Sequence, residues 1–215
     1  MPYSETIAVA AGLMMLTAAL LVWRHGIGAA TRIVAVQGAA LAAIVAAIGA
    51  HEDDPELLLV AGLVLIVKAA VLPGVLTLAA RGPDGPPVEP RANPVGGLMA
   101  VALLSGLAYV VMSPLTAGSG DPAAPAVPAA LAVVLVGLLV LATRRHAVSQ
   151  LIGFLVLDNG IAAVAFLVAG GVPLVVELGV SLDVVLVVLI LRVLTGRMRL
   201  KFGDTDVGAL RELRD

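Results

Sequence analysis

Long apolar stretches dominate this sequence, and they restrict the fold more than any other feature. About seven of them have the roughly 20 residues that a helix needs to cross the ~30 Å hydrocarbon core of a bilayer. They run over Glu5–Trp23, Gly28–Ala50, Leu57–Ala80, Pro94–Ser113, Ala124–Thr143, Val148–Gly170 and Pro173–Thr195. A strand of a membrane barrel needs only about half that length. The sequence therefore predicts an all-α, polytopic membrane protein with about seven transmembrane helices.

Composition excludes several classes of protein. The chain is 60% apolar and 13% charged, with a mean hydropathy of +1.09, whereas soluble domains are about 45–50% apolar. It has no Cys, which excludes disulfides, iron–sulfur clusters and thiolate metal sites. Aromatic residues are only 3%, too few to favour stacking of bases, sugars or haem. The sequence contains no phosphate-binding loop, metal-ligand spacing or catalytic nucleophile. We expect no cofactor, no bound metal, no nucleic-acid partner and no enzymatic activity of the chain alone.

Basic residues predict how the chain is oriented in the cell's inner (plasma) membrane. Lys and Arg occur in the first, third and fifth loops and in the tail, but not in the second, fourth and sixth loops. The second loop instead reads HEDDPE. Because basic loops stay on the cytoplasmic side, the N-terminus is predicted to lie outside and the C-terminus in the cytoplasm.

Two loops rich in Pro and Gly, at residues 81–94 and 116–128, suggest a division of the chain. Residues 1–80 would form an N-terminal three-helix membrane unit. Residues 81–123 would hold loops and the fourth helix. Residues 124–215 would form a second three-helix unit that ends in a short cytoplasmic tail.

Three charged residues are predicted to lie near the middle of the membrane. With a rise of 1.5 Å per residue, Lys68, Asp158 and Asp183 each lie about 15 Å or more from the end of their apolar run. A charge at that depth costs about 2.5–3.5 kcal/mol on insertion scales, and such residues usually pair or belong to ion pathways. Glu177 is shallower and can reach the headgroups. We predict a proton path from these four residues, with Lys68 paired to Asp158 or Asp183; a static pair that only locks the helices is the alternative.

Three neighbouring residues indicate how this region packs. Pro73 removes a backbone hydrogen bond close to Lys68, so it predicts a kink in the third helix. Asn159 can hydrogen-bond to another helix, and Gly160 lets a neighbouring backbone approach. Because Asn159 and Gly160 mark a packed helix surface directly after Asp158, we favour Asp158 as the partner of Lys68.

The last third of the chain resembles the NuoK-type small subunit of complex I and its relatives in cation antiporters. The stretch RRHAVSQLIGFLVLDNGIAAVAFLVAG is similar to the second helix of that family. Asp183, in GVSLDVVLVVLILR, occupies the place of a buried Glu, and DVGALREL resembles the acidic ending of the family. Where the family has its first Glu this chain has Leu155, and the nearest acid is Asp158, about one helical turn later. The resemblance implies a C-terminal three-helix NuoK-like unit.

Nearly the whole chain resembles the HyfE-type subunit, the membrane component E of hydrogenase-four and formate-hydrogenlyase-like complexes. The similarity lies in its length, the midmembrane Lys68, the Pro five residues later and the acid-Asn-Gly sequence at residues 158–160. It implies a location between antiporter-like subunits and the hydrogenase arm of a proton-pumping complex.

We therefore predict a non-redox membrane subunit of a proton-translocating oxidoreductase complex, in contact with lipid and with antiporter-like and other membrane subunits. Two alternatives remain, a stand-alone ion-coupled secondary transporter and a structural membrane anchor with inert buried charges. A secondary transporter should show inverted repeats around a central substrate site, and the sequence shows no such repeat.

Overall fold

Six helical spans make up the part of the chain that the computed structural model describes, residues 3–23, 26–80, 94–144 and 147–169. Each span is long and apolar enough to cross a membrane. These spans confirm the predicted all-α, multi-pass membrane fold. The seventh predicted stretch, Pro173–Thr195, lies outside the described residues.

The spans are built from seven α-helices and two short irregular segments. The third span is continuous, because α3 passes through a π-helical segment into α4. The bounds are α1 Tyr3–Trp23, α2 Ile27–His51, α3 Pro55–Val64, the π segment Leu65–Val71, α4 Leu72–Ala80, α5 Pro94–Thr116, a 3₁₀ turn Ala124–Ala126, α6 Val127–Thr143 and α7 Ala147–Ala169.

The acidic loop between α2 and α3 is a tight turn whose residues explain its geometry. Asp53 has a φ of 53°, a left-handed conformation that Asp tolerates better than most residues. The Asp54 carboxylate caps α3, since its Oδ1 accepts hydrogen bonds from the backbone N–H groups of Glu56 at 2.8 Å and Leu57 at 3.3 Å. Pro55 follows as the first residue of α3, where its missing N–H costs nothing. One of the loop's acidic residues therefore serves the local fold.

Contacts at the two ends of the bundle show how α1, α2 and α6 run relative to one another. The ring of Tyr3, at the start of α1, stacks on His51, at the end of α2, with ring centroids 4.0 Å apart. At the opposite end, Arg144 follows α6 and its Nη2 donates a hydrogen bond to the carbonyl oxygen of Leu21 at 3.3 Å. Helices α1 and α2 therefore run in opposite directions, and α6 runs in the same direction as α1.

Helices α6 and α7 approach each other closely along a line of glycines. A Cβ added to Gly137 would lie 2.5 Å from the backbone nitrogen of Leu157, and one added to Gly153 would lie 2.6 Å from that of Leu141. A Cβ on Gly160 would lie 2.7 Å from the backbone nitrogen of Val134. Small residues at a helix interface let two backbones meet in this way, so van der Waals contact and not water exclusion holds the pair together.

One apolar core joins the helices before and after the long loop. Ile44 of α2, Leu76 of α4, Val133 of α6 and Phe166 of α7 belong to the same buried cluster. By contrast, most residues of α5 are exposed or half-buried. The bundle interior lies among α1, α2, the third span, α6 and α7, and the midmembrane charges of the described residues lie there.

Candidate functional site

The centre of the bundle holds an ion pair between two distant parts of the sequence. Lys68 Nζ lies 2.8 Å from Asp158 Oδ2. Lys68 comes from the π segment of the third span, and Asp158 comes from the middle of α7. Lys68 is 1% exposed and Asp158 is 9% exposed. The structure therefore brings together the two residues that the sequence analysis favoured as partners.

The backbone around Lys68 is wider than an α-helix. Residues Leu65–Val71 form a π-helical segment, and the N–H of Leu72 bonds to the carbonyl oxygen of Val67, five residues earlier. The kink at Pro73 stays a prediction, whereas the irregularity that the structure shows surrounds Lys68 and ends before Pro73. Segments of this kind are rare and occur often at functional sites. The extra residue in the turn changes the direction in which Lys68 leaves its helix.

Gly38 of α2 lies directly against the backbone of Lys68. A Cβ added to Gly38 would lie 2.6 Å from the carbonyl carbon of Lys68, 2.7 Å from its carbonyl oxygen and 3.0 Å from the nitrogen of Ala69. These neighbours are backbone atoms, which cannot rotate away as a side chain can. Any residue larger than Gly at this position would push α2 away from the π segment.

Gly38→Ala is therefore expected to destabilise the protein by about 1–3 kcal/mol, the usual cost of overpacking. Gly62→Ala is the matched control, because nothing lies within 4 Å of a Cβ added there. Thermal unfolding of both variants in the same detergent checks the prediction. We expect a lower midpoint for Gly38→Ala and an unchanged or slightly higher one for Gly62→Ala. Equal midpoints for the two variants would contradict the close contact.

A second polar contact lies beside the ion pair. Asn159 Nδ2 donates a hydrogen bond to Gln37 Oε1 of α2 at 3.3 Å, and Gln37 Nε2 donates to the carbonyl oxygen of Met14 in α1 at 3.2 Å. The same carbonyl accepts a bond from Thr17 Oγ1 at 2.8 Å. Asn159 thus makes the interhelical contact that the sequence indicates, and Gly160 makes the close backbone approach.

Gln37 was not predicted from the sequence as a site residue. The signal was present, because Gln37 is a polar residue in the middle of the apolar run Gly28–Ala50 and directly precedes Gly38. An amide, however, carries no formal charge, so it does not stand out by insertion cost in the way that Lys68 does.

The two remaining acids of the predicted proton path are not placed by the structure. Asp183 and Glu177 lie outside the described residues, and their roles stay predictions. Of the predicted site residues that are described, Lys68 and Asp158 form a pair, Asn159 and Gly160 contact neighbouring helices beside it, and Pro73 follows the π segment by two residues.

The ion pair can exchange protons. An ammonium group is a proton donor, a carboxylate is an acceptor, and a separation of 2.8 Å is short enough for direct transfer. The pair is neutral as a whole, which reduces the cost of burying it.

Known proteins from three bacteria are similar to this chain along nearly its whole length. Uncharacterized protein Rv0085 of Mycobacterium tuberculosis is 46% identical over 215 residues, which cover 99% of this chain and 98% of that protein. Hydrogenase-4 component E of Escherichia coli is 28% identical over 205 residues, which cover 95% of each chain. The component E of Shigella flexneri matches with the same identity and coverage.

These relatives support the resemblance to component E subunits across the chain, and none of them tests the NuoK-like resemblance of the last third. No protein-family model matches the sequence. No solved structure matches it either.

Proposed function

Since this chain belongs to the same family as uncharacterized protein Rv0085 of Mycobacterium tuberculosis and is a distant homologue of hydrogenase-4 component E, we propose that it is a non-redox membrane subunit of a proton-translocating hydrogenase-type complex. The observation that carries this proposal is the Lys68–Asp158 pair, buried in the middle of spans that are otherwise almost wholly apolar.

The chemistry of the chain supports a role in ion movement more than one in electron transfer. Its sequence has no Cys to hold an iron–sulfur cluster and few aromatic residues to stack on a cofactor. It does have titratable groups at membrane depth, where a charge is expensive and is typical of ion pathways. Redox chemistry in such a complex would therefore belong to its other subunits.

The Lys68–Asp158 pair would work as a relay element. A proton that reaches Asp158 neutralises the carboxylate and leaves the Lys68 ammonium without a counter-charge. Burial then opposes the unpaired charge, so Lys68 passes its own proton to the next acceptor. The neutral acid finally gives its proton to the neutral amine and restores the pair. One proton enters, one leaves, and the starting state returns.

The rest of the path and the orientation extend this proposal. Asp183 and Glu177 would continue the proton path, and the NuoK-like unit of residues 124–215 would dock the antiporter-like subunits. The N-terminus would lie outside and the C-terminus in the cytoplasm. Single cysteines introduced into this Cys-free chain can be labelled in sealed cells, and external labelling in the loop at residues 81–93 would refute the orientation.

Purification of the tagged chain in mild detergent tests the assignment as a subunit. We expect antiporter-like membrane subunits and hydrogenase subunits to copurify with it, identified by mass spectrometry. An unrelated tagged membrane protein, purified from the same membranes, is the control for nonspecific contacts. A stable monomer that carries none of these partners would overturn the proposal and favour a stand-alone transporter.

A further inference from the structure

Two consecutive residues of α7 contact two different neighbouring elements. Asp158 reaches Lys68 in the π segment, and Asn159 reaches Gln37 in α2. Successive residues of an α-helix point about 100° apart, so one short stretch of α7 can make both contacts at the same depth. The amide contact lies directly beside the ion pair.

Gln37 is held at both ends of its amide group. Its Oε1 accepts the bond from Asn159 in α7, and its Nε2 donates to the carbonyl of Met14 in α1. A carbonyl can only accept, so the amide nitrogen must face Met14, and the orientation of the Gln37 side chain follows. Gln37 is 0% exposed and Asn159 is 2% exposed, so no solvent competes for these bonds.

Packing alone does not account for this amide pair. Apolar residues of similar size would fill the same space without the cost of burying two amides. The hydrogen bond between the two amides instead favours one rotation and one axial position of α7 relative to α2.

Helix α2 contacts the backbone of Lys68 directly and contacts the residue next to Asp158. Gln37 holds Asn159, the residue next to Asp158, while Gly38 lies against the backbone of Lys68. Helix α2 therefore lies against both elements that carry the pair, α7 on one side and the π segment on the other.

We propose that Gln37 and Asn159 are positioning residues, whose hydrogen bond sets α7 so that the Asp158 carboxylate meets Lys68. Neither amide gains or loses a proton, so the contact orients the acid without opening a route for protons toward α1. The effect on transport rests on the proposed function, whereas the effect on Asp158 itself does not.

The test compares Gln37→Met with Gln150→Met in the intact complex. Both changes keep the side-chain length and remove the amide. Gln150 serves as the control because it is exposed, and the hydrogen bond that the structure shows for its side chain goes to the backbone oxygen of Arg144. Infrared difference spectroscopy follows the carboxyl band of Asp158, which is identified by its loss in Asp158→Asn. Proton transport is measured in proteoliposomes.

We expect Gln37→Met to shift the Asp158 band and to slow transport by about threefold to tenfold. This fold-change corresponds to the free energy of one interhelical hydrogen bond in a membrane. Gln150→Met should change neither the band nor the rate. An unshifted band in an assembled Gln37→Met complex would overturn the proposal.

Exchange of the two amides separates positioning from general packing. Gln37→Asn alone leaves the contact short by one methylene, whereas Gln37→Asn combined with Asn159→Gln restores its total length. We expect the exchange to recover the parental band and to bring transport within about threefold of the parent. This comparison tests the positioning role even if Gln37→Met fails to assemble, since an exchange variant as impaired as the single Gln37→Asn variant would overturn the proposal.

The outcomes also distinguish the positioning role from the proposed function. If Gln37→Met shifts the Asp158 band but Asp158→Asn transports protons normally, the proposed function fails and the positioning role stands.

Discussion

Lys68→Met is expected to destabilise the protein by about 3–5 kcal/mol and to stop proton transport. The change removes one partner of a buried ion pair and leaves Asp158 without a counter-charge. Removing one partner costs more folding free energy than replacing both, because it leaves a buried charge uncompensated. Among the residues that the structure describes, Asp158 then has no partner within reach with which it could exchange a proton, so transport through the pair stops. Thermal unfolding in detergent measures the first effect, and proton uptake by proteoliposomes containing the complex measures the second.

The double change Lys68→Met with Asp158→Asn separates stability from transport. With both charges gone there is no unpaired ion, so assembly should recover while transport stays absent. Arg32→Met is the matched control, because it also exchanges a cation for Met but at an exposed position. It should leave both quantities close to those of the parent. A double variant that transports protons normally would show that the pair only locks the helices, and a single Lys68→Met variant that assembles and transports normally would contradict both roles.

Asp183→Asn is expected to reduce proton transport to background while the complex still assembles. Asp183 is predicted about 15 Å deep in the last apolar run, and the proposed NuoK-like resemblance implies a buried acid at this position. Asn keeps the shape of the side chain and removes only its charge and its proton. Copurification of the partner subunits reports assembly, and proteoliposomes report transport.

Glu56→Gln provides the control for Asp183→Asn. Glu56 lies in the first turn of α3, is exposed at the end of its span and undergoes the same loss of one carboxylate. Transport by this variant should equal that of the parent. If Asp183→Asn also transports normally, Asp183 has no place in the proton path.

Much of the site could be predicted because buried charges are conspicuous in an apolar sequence. Lys68 and Asp158 stand out individually, since each interrupts a run whose other residues avoid charge. Their pairing was favoured on weaker grounds, the Asn and Gly that follow Asp158. Gln37 was not predicted, because a single uncharged amide in a membrane helix does not indicate a site unless its partner, here Asn159, is known.

The sequence by itself determined that the described chain crosses the membrane in helices, because about 20 consecutive apolar residues can satisfy their backbone hydrogen bonds within lipid in no other way. It also predicted the depth of the charges, since depth along a span follows from counting residues along a helix. Only the tertiary structure decided which groups meet. The 2.8 Å contact of Lys68 with Asp158 and the bond between Gln37 and Asn159 join residues that are 90 and 122 positions apart. The close contact of Gly38 with the π segment likewise depends on how the helices pack against each other. Helical periodicity within one span carries no information about which helices lie beside it.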